Sequence, residues 1–375
     1  MKLRAGHDLA YSTNVHAAES WSETLCGLEQ VTLAVRAKVA PNERFGIGLR
    51  LSDRASRELA EPAIVAAFRE WLEANNCYIF TVNGFPFGKF HRSRVKEQVF
   101  LPDWTSPQRL EYTNRLFDIL ALLLPNDCAG SVSTMPGSFK EFLREDGEIE
   151  AIRRNLLRCA QHISDLSNRH GRDLHLGLEP EPLGLFENTA ETLRFFETVR
   201  SEQIGVNYDA CHFAVEYEDP LDSLRALQNA GIRISKLHLS SALRCLSPND
   251  RVALLRPFQD QVYLHQVIAR RPEGDLRRYK DLSLALAENQ AAEEWRIHFH
   301  VPLYAELGPP LSSTVDHVMG VLDWLAANPR ACSHLEMETY TWEVLPNALR
   351  SNSLVDQLTR EYDWTLARLR ERDLA

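Results

Sequence analysis

The feature that most constrains the fold of this chain is a regular alternation of short β-type runs with longer helical patterns. Such alternation is typical of βαβ units, in which parallel strands are joined by helical crossovers. One helix carries a clear start signal, because Ser20 is followed by Glu23 as in a capping box. The runs with strand character are 8–14, 46–51, 78–83, 131–135, 174–178, 204–208, 234–239, 297–303 and 334–339.

The alternation predicts an α/β fold, a closed (β/α)8 TIM barrel with eight of the nine runs in its wall. Barrels of about 250 residues reach the length of this chain through loop insertions, so we predict a single domain over 1–375. Two long insertions interrupt the pattern, at 85–104 and at 241–295. The second contains a possible hairpin around 261–269 and 279–286.

Composition and charge exclude several classes of function. Acidic residues outnumber basic ones by 52 to 42, giving a net charge of −10, whereas nucleic-acid-binding proteins usually present a basic face. No apolar run is long enough for a membrane span, residues 1–14 lack the apolar core of a signal peptide, and the seven cysteines form no C-x-x-C pair. We therefore expect a soluble cytoplasmic protein that binds a small-molecule metabolite, without nucleic acid and without membrane insertion. The sequence leaves the oligomeric state open.

Three carboxylates and one imidazole stand at the carboxyl ends of predicted strands, where barrel enzymes place their active groups. Taken singly, a Glu or His at such a position is often a salt-bridge or structural partner. Four groups that converge on one barrel mouth would repel and desolvate one another unless a cation neutralised them. Mixed carboxylate and imidazole ligation suits Mn²⁺, Zn²⁺, Fe²⁺ or Co²⁺ better than Ca²⁺. The predicted ligands of this divalent metal are Glu179, Asp209, His238 and Glu338.

Three segments resemble motifs of the xylose-isomerase-like superfamily. Gly205–Ala214 (GVNYDACHFA) resembles the D-x-x-H strand end of endonuclease IV and the sugar epimerases. LEPEP at 178–182 is similar to the E-P-x-P segment of xylose isomerases, and MET at 337–339 to the closing L-E-T of the endonuclease branch. The resemblance implies the same four metal ligands, with His212 as a nearby ligand or substrate contact. The superfamily's ligand order also places His238 on strand seven and Glu338 on strand eight, so the run 297–303 should lie outside the barrel.

Over nearly its whole length the chain resembles, more specifically, the bacterial metabolite-traffic proteins called EboE. That family is named for gene clusters that export small metabolites, so the resemblance implies metabolite traffic and no particular reaction. The segments that carry it are YSTNVH at 11–16, ESW at 19–21, FGIGLRLS at 45–52, NGFPFGKFH at 83–91, PDW at 102–104, HFHVPLY at 298–304 and ETYTW at 338–342.

Further side chains are candidates for substrate binding, each with an alternative. Glu181 stands where xylose isomerases place a catalytic lysine, so their hydride shift does not carry over; it is either a substrate contact or a turn residue. His298 and His300 lie two apart on a β-type run and share one face, either lining the mouth or on a hairpin beside it. The remaining candidates are His16 and His91, placed like the early histidines of endonuclease IV, and Trp342, which with Phe85, Phe87, Phe90 and Trp104 walls a pocket or packs the long loops.

The leading hypothesis is a metal-dependent isomerase, epimerase or related lyase that acts on a small polyol, sugar-like or cyclitol-like metabolite. By resemblance to the epimerases, Glu179 and Glu338 would serve in turn as metal ligand and general base. A carrier protein that uses the same barrel mouth without turnover is the alternative. A DNA-repair nuclease is disfavoured by the acidic charge.

Overall fold

Eight parallel strands form the wall of a barrel. In the computed structural model, which describes residues 1–246 and 250–375, they pair in the order β1-β13-β7-β6-β5-β4-β3-β2. A parallel bridge between Ser12 and Gly48 joins the two outer strands of this order, so the barrel is nearly closed. The predicted (β/α)8 fold is therefore confirmed. The strands are β1 (Asp8–Tyr11), β2 (Phe45–Arg50), β3 (Cys77–Asn83), β4 (Gly130–Thr134), β5 (Leu174–Leu178), β6 (Ile204–Asp209), β7 (Ile234–Leu239) and β13 (His334–Met337).

The burial of these strands explains why the sequence predicted them. Every residue of the eight strands is buried, so each reads as a nearly continuous β-type run. One glycine is required by a close approach inside the barrel. A Cβ at Gly48 would lie 1.9 Å from Oε1 of Glu336, so only glycine lets β2 pass this buried carboxylate.

Helices follow the strands around the outside of the barrel. The capping box predicted at Ser20 and Glu23 opens the first of them. A π-helical turn at Leu28–Thr32 joins the first helix to the second. The helices are α1 (Trp21–Gly27), α2 (Leu33–Val39), α3 (Asp53–Leu59), α4 (Pro62–Ala74), α5 (Pro107–Leu123), α6 (Asp146–His170), α7 (Thr189–Phe196), α8 (Ala210–Val215), α9 (Pro220–Asn229), α10 (Arg251–Leu255), α11 (Leu282–Glu288), α12 (Val315–Ala327) and α13 (Leu354–Arg370).

A five-stranded antiparallel sheet is inserted between β7 and α12. It includes the run predicted at 297–303, which lies outside the barrel as expected. The insertion extends past the predicted limit at 295, because its last strand ends at Ser313. Residues 247–249 of the predicted insertion lie outside the described part of the chain. The strands are β8 (Ser241–Cys245), β9 (Val267–Arg270), β10 (Leu276–Tyr279), β11 (Glu294–Val301) and β12 (Leu311–Ser313), in the order β10-β9-β11-β8-β12.

The predicted hairpin in this insertion is partly correct. β9 and β10 pair as an antiparallel hairpin, but the residues after Tyr279 are not a strand. Asp281 accepts a hydrogen bond from the backbone N–H of Ser283 and caps the start of α11. This N-cap stabilises the start of a helix over the apolar segment Leu282–Glu288. An Asp directly before an apolar run is a known signal for a helix start.

The inserted sheet has an apolar core of its own, which includes Trp295 and Phe299. The half-buried Trp342 packs against both this core and the barrel core. Arg278 on β10 also pairs with two carboxylates on the barrel side, Glu216 and Glu187. These contacts fix the sheet at the mouth of the barrel. Among the described residues, no helix combines the length and apolar character needed to cross a bilayer.

Candidate metal centre

Four side chains meet at the carboxyl ends of barrel strands. Glu179 directly follows β5, Asp209 ends β6, His238 lies on β7 and Glu338 directly follows β13. Each offers one ligand atom, and these four atoms lie within 4.8 Å of one another. All four side chains are buried. The structure therefore brings together the four residues that the sequence singled out as metal ligands.

His238 lies at the middle of this group. Its Nδ1 is 3.0 Å from Oε1 of Glu179, 3.3 Å from Oδ2 of Asp209 and 3.2 Å from Oε2 of Glu338. Its Nε2 donates to Oε2 of Glu336 at 2.9 Å. With the ring proton on Nε2, the lone pair of Nδ1 faces three carboxylate oxygens. A histidine held by a carboxylate on its far nitrogen is the usual arrangement of a metal ligand.

Glu336 belongs to a buried ion pair inside the barrel. Its Oε2 accepts a hydrogen bond from Nζ of Lys236 at 2.5 Å, and neither side chain is exposed. Burial alone would raise the pKa of Glu336, but Lys236 and His238 lower it to about 2. Glu336 therefore stays ionised and keeps accepting the Nε2 proton of His238.

In Asp209 and Glu338, the oxygen atom that does not face the centre is held by neighbouring donors. Oδ1 of Asp209 accepts hydrogen bonds from Ser240 Oγ at 2.6 Å and from the backbone N–H of Cys211 at 2.7 Å. Oε1 of Glu338 accepts from the amides of Asn14 at 2.6 Å and Asn83 at 3.0 Å. Asp209 and Glu338 are thus each fixed by one oxygen and present the other to the centre.

The charges at the centre are not balanced by the protein alone. Burial lowers the pKa of His238, but Glu338, Glu179 and Asp209 outweigh it and hold this pKa well above its ordinary value. Even a protonated His238 would face three carboxylates with a single positive charge. Oε2 of Glu179 is buried and has no hydrogen-bond partner among the described residues. This excess of negative charge and this free oxygen fit a divalent cation.

Three imidazoles form a second group beside the first. Nε2 of His298 lies 3.2 Å from Nε2 of His212 and 3.2 Å from Nε2 of His300. The Nδ1 atoms face backbone or amide oxygens, of Pro180 for His212, Gln266 for His298 and Glu338 for His300. Each Nδ1 is therefore a donor, so in the neutral rings each Nε2 carries a lone pair. Two sets that combine these histidines with a carboxylate have ligand atoms within 4.8 Å of one another, namely Asp209, His212 and His300, and Glu181, His212 and His298. Such an arrangement could hold a second ion.

A cavity opens above these groups. It measures about 540 Å³, including the space at its open side. Burial raises the pKa of Glu181 in its wall to about 7. Glu181 Oε1 also accepts a hydrogen bond from Nε2 of Gln266 at 3.1 Å. The polar part of the lining comprises Asn14, Asn83, Lys96, Glu179, Glu181, His212, His298 and Glu338, and the rest is mainly apolar or aromatic.

A family model described as Xylose isomerase-like TIM barrel matches residues 45–258, which is more than half of the chain. The chain belongs to the xylose isomerase-like TIM barrel family. A search of curated proteins finds no match.

Solved structures with the same fold are distant in sequence. D-psicose 3-epimerase in the presence of D-fructose has a TM-score of 0.54 and 13% identity, covering 97% of this chain and 98% of that one. The IOLI protein with a binding zinc atom has a TM-score of 0.51 and 12% identity, covering 97% and 99%. The probable 3-DHS dehydratase AsbF, involved in petrobactin synthesis in Bacillus anthracis, has a TM-score of 0.50 and 14% identity, covering 96% and 98%. At these identities the likeness shows the fold alone.

In this xylose isomerase-like barrel, four predicted substrate contacts do not line the described cavity, and one of them, His300, is fully buried in the imidazole group described above. The other three are held by their neighbours. Nε2 of His16 is bonded to the hydroxyl of Tyr11. Nδ1 of His91 accepts from Tyr263 at 2.6 Å, and its Nε2 donates to the backbone oxygen of Asn14. Trp342 packs between the two apolar cores. These side chains support the walls of the cavity rather than face it, because neighbouring groups already occupy their polar atoms or bury their rings.

The structure also identifies residues that the sequence analysis missed. Lys236 and Glu336 precede His238 and Glu338 by two positions, and alternation along a strand directs both members of each pair into the barrel. Asn83 ends β3, so the rule that located the four ligands would have found it as well. Gln266 carried no such signal, because its role depends on how the inserted sheet folds over the barrel.

Proposed function

We propose that this protein is a divalent-metal-dependent enzyme of the isomerase or epimerase type, which acts on a small polyol, sugar-like or cyclitol-like metabolite. The observation that carries the proposal is the buried group of Glu179, Asp209, His238 and Glu338 at the barrel mouth. Two of the fold relatives are named as an epimerase and a dehydratase. A metal that binds adjacent oxygen atoms of a substrate acidifies the neighbouring C–H bond, which is the chemistry both reactions require.

The donor set supports Mn²⁺, Zn²⁺, Fe²⁺ or Co²⁺ at this site. Glu179, Asp209, His238 and Glu338 would hold the ion, each with the atom that its other contacts leave free. His212 and His300 with Asp209, or His212 and His298 with Glu181, would hold a second ion. The ion or ions would supply Lewis acidity toward the carbonyl and hydroxyl oxygens of the substrate.

The protein itself would move the protons. Glu179 and Glu338 reach the centre from β5 and β13, which are separated in the barrel by β6 and β7. Two carboxylates on different sides of a bound substrate can remove a proton on one face and return it on the other. We propose this role for them. Glu181 lies in the cavity wall beside these groups and would contact the substrate.

We also propose that this protein is an EboE-like metabolite-traffic protein. The sequence resemblance to EboE covers nearly the whole chain, and it would place the protein in a pathway that exports a secondary metabolite. We further propose that residues 1–375 act as one domain in the cytoplasm. Packing of Trp342 against both apolar cores supports a single domain.

A binding or carrier function is the alternative. Aromatic side chains from both long insertions line the cavity, and an aromatic wall suits the sequestration of a ligand as well as its conversion. The carrier would use the same four ligands, with the substrate bound and released unchanged.

The metal content of the purified protein tests the first part of the proposal. Elemental analysis should find about one equivalent or more of a divalent transition metal per chain, and Asp209→Ala should lose the ion at the four-residue site. Asp173→Ala is the matched control, since Asp173 is half-exposed and pairs with Arg233 at the opposite end of the barrel. Equal metal content in all three proteins would contradict the assignment.

Proton exchange separates the enzyme from the carrier. The metal-loaded protein should catalyse the exchange of a C–H proton next to the carbonyl of its substrate for deuterium from the solvent. NMR spectra of a panel of ketoses and inososes would show this exchange. Glu179→Gln should slow this exchange by about 10²-fold or more, since it removes one of the two bases. Tight binding of a panel member without exchange would favour the carrier.

A further inference from the structure

The cavity above the metal centre changes in chemical character away from the ligands. Its floor consists of carboxylates at and near the barrel strand ends, with imidazoles from α8 and β11. Its walls come from loops beyond the strand ends, and are lined by Phe85, Phe90, Val95, Val99, Leu264 and Tyr340. The rings of Phe90, Tyr263 and Tyr340 pack on one another with centroids 5.1–5.2 Å apart. The Tyr340 ring lies 4.6 Å from that of His300, so the aromatic wall begins directly beside the group of three imidazoles.

Two of the polar side chains in these walls, Lys96 and Tyr263, already have partners. Nζ of Lys96 donates to Oδ2 of Asp281 at 2.7 Å and to the backbone oxygen of Asp260 at 3.1 Å. The hydroxyl of Tyr263 donates to His91 at 2.6 Å. A ligand with hydroxyl groups along its whole length would therefore leave several of them without partners, which is costly in a buried site.

The walls also offer little to a charged group. Lys96 is the one lysine or arginine among the described residues that line the cavity, and it is neutralised by Asp281. A phosphate on the far side of the substrate would find no free cation there. A charged group of a ligand could therefore be bound only at the floor of the cavity, next to the proposed metal.

We infer that the substrate is amphipathic, with adjacent hydroxyl and carbonyl oxygens at one end and an uncharged apolar group, aromatic or alicyclic, at the other. This inference rests on the proposed function, because the metal centre binds the oxygen-bearing end. Among sugar-like and cyclitol-like metabolites, those that carry an apolar substituent should therefore bind more tightly than free or phosphorylated sugars, because hydroxyl or phosphate groups beyond the metal centre would face Phe90, Val95 and Val99.

Two small hydroxyketones test the inference, 2-hydroxyacetophenone and dihydroxyacetone. Both present the same pair of oxygens, and they differ in carrying a phenyl or a hydroxymethyl group. Calorimetric titration of the metal-loaded protein should give at least a tenfold lower Kd for the phenyl compound, because about 1.4 kcal/mol of apolar burial produces this factor. Acetophenone, which lacks the hydroxyl group, should bind more weakly than 2-hydroxyacetophenone.

A pair of nearly isosteric substitutions tests whether the walls cause this preference. Val95→Thr together with Val99→Thr adds two hydroxyl groups to the cavity at nearly constant volume. The double variant should reduce the preference for the phenyl compound by about threefold or more. Val39→Thr, at the far end of α2, is the matched control and should leave the preference unchanged.

The same titrations on metal-depleted protein separate this inference from the proposed function. If the metal strengthens binding but dihydroxyacetone binds as tightly as the phenyl compound, the apolar substrate is wrong and the metal centre stands. If the phenyl compound binds equally well with and without metal, the role of the metal centre is wrong. If neither compound binds at millimolar concentration, the inference on the substrate is wrong.

Discussion

At the scale of single residues, the orientation of His238 decides what the centre can bind. Its Nδ1 faces the three carboxylates because its Nε2 is held by Glu336, and Glu336 is held by Lys236. Oε1 of Glu336 is buried without a hydrogen-bond partner among the described residues, so this carboxylate makes its contacts through one oxygen. A chain of buried charges thus sets the tautomer of a ligand.

Replacing Glu336 with Gln should weaken metal binding by about 10–100-fold, since partners of this kind typically contribute that much. Competition with a chromogenic chelator measures the affinity. The single variant also leaves Lys236 buried without its anion, which should lower the free energy of unfolding by about 3–5 kcal/mol.

The double variant Lys236→Met with Glu336→Gln separates these two effects. Removal of the buried cation should restore most of the stability, as measured by urea denaturation, while the affinity for the metal stays low. Recovery of the affinity together with the stability would show that Glu336 has only a structural role.

At the scale of elements, the last helix is docked by one buried carboxyl group. Oε1 of Glu361 on α13 accepts hydrogen bonds from Thr339 Oγ1 at 2.7 Å and from the backbone N–H of Leu303 at 3.3 Å. Glu361 therefore ties α13 to the residue after Glu338 and to the segment that follows β11. Burial raises the pKa of Glu361 to about 7 from an ordinary value of 4.5.

This raised pKa predicts a loss of stability as the pH increases. Between pH 4.5 and 7 the folded state binds the proton more tightly than the unfolded state, so the free energy of unfolding falls through this window. Glu361→Gln keeps both acceptor contacts and removes the charge. The variant should match the parent near pH 5 and exceed its stability by up to about 3 kcal/mol at pH 8.

Urea denaturation at the two pH values provides the measurement. Glu371→Gln, at the exposed end of the same helix, is the control and should change stability little at either pH. An equal effect of Glu361→Gln at pH 5 and pH 8 would contradict the titration of this group.

At the scale of the whole molecule, the barrel and the inserted sheet form the site together. The barrel supplies Glu179, Asp209, His238 and Glu338, whereas β11 supplies His298 and His300. Metal binding should therefore stabilise both parts. At a free metal concentration of 100 times Kd the expected gain is about 2.7 kcal/mol, which corresponds to a rise of several degrees in Tm.

Thermal unfolding with and without a chelator tests this coupling. Far-ultraviolet circular dichroism and tryptophan fluorescence should report one common transition, since Trp295 lies in the core of the sheet and Trp342 contacts both cores. The transition should move to lower temperature when the metal is removed. Two separate transitions would instead indicate that the inserted sheet unfolds on its own.

The sequence by itself determined the barrel and placed four candidate metal ligands at the ends of its strands. Strands buried on both faces appear as continuous runs, and the carboxyl ends of parallel barrel strands always meet at one mouth. Asp209 and His238 were therefore identifiable without any knowledge of contacts, whereas the choice of Glu179 over Glu181 depended mainly on the family resemblance. His16, His91 and Trp342 have the same residue types as many site residues, but their polar atoms or rings contact neighbouring side chains rather than the cavity.

Only the tertiary structure decided how the inserted sheet completes the site. Antiparallel pairing of β8, β9 and β11 brings His298 against His212 across 86 positions of sequence, and places Gln266 to fix its tautomer. The sequence shows that His298 and His300 share a strand face, but not what that face contacts. Contacts between distant elements depend on the register and packing of the whole sheet. The alternation of buried strands and helices, in contrast, follows from the pattern of residues that are close in sequence.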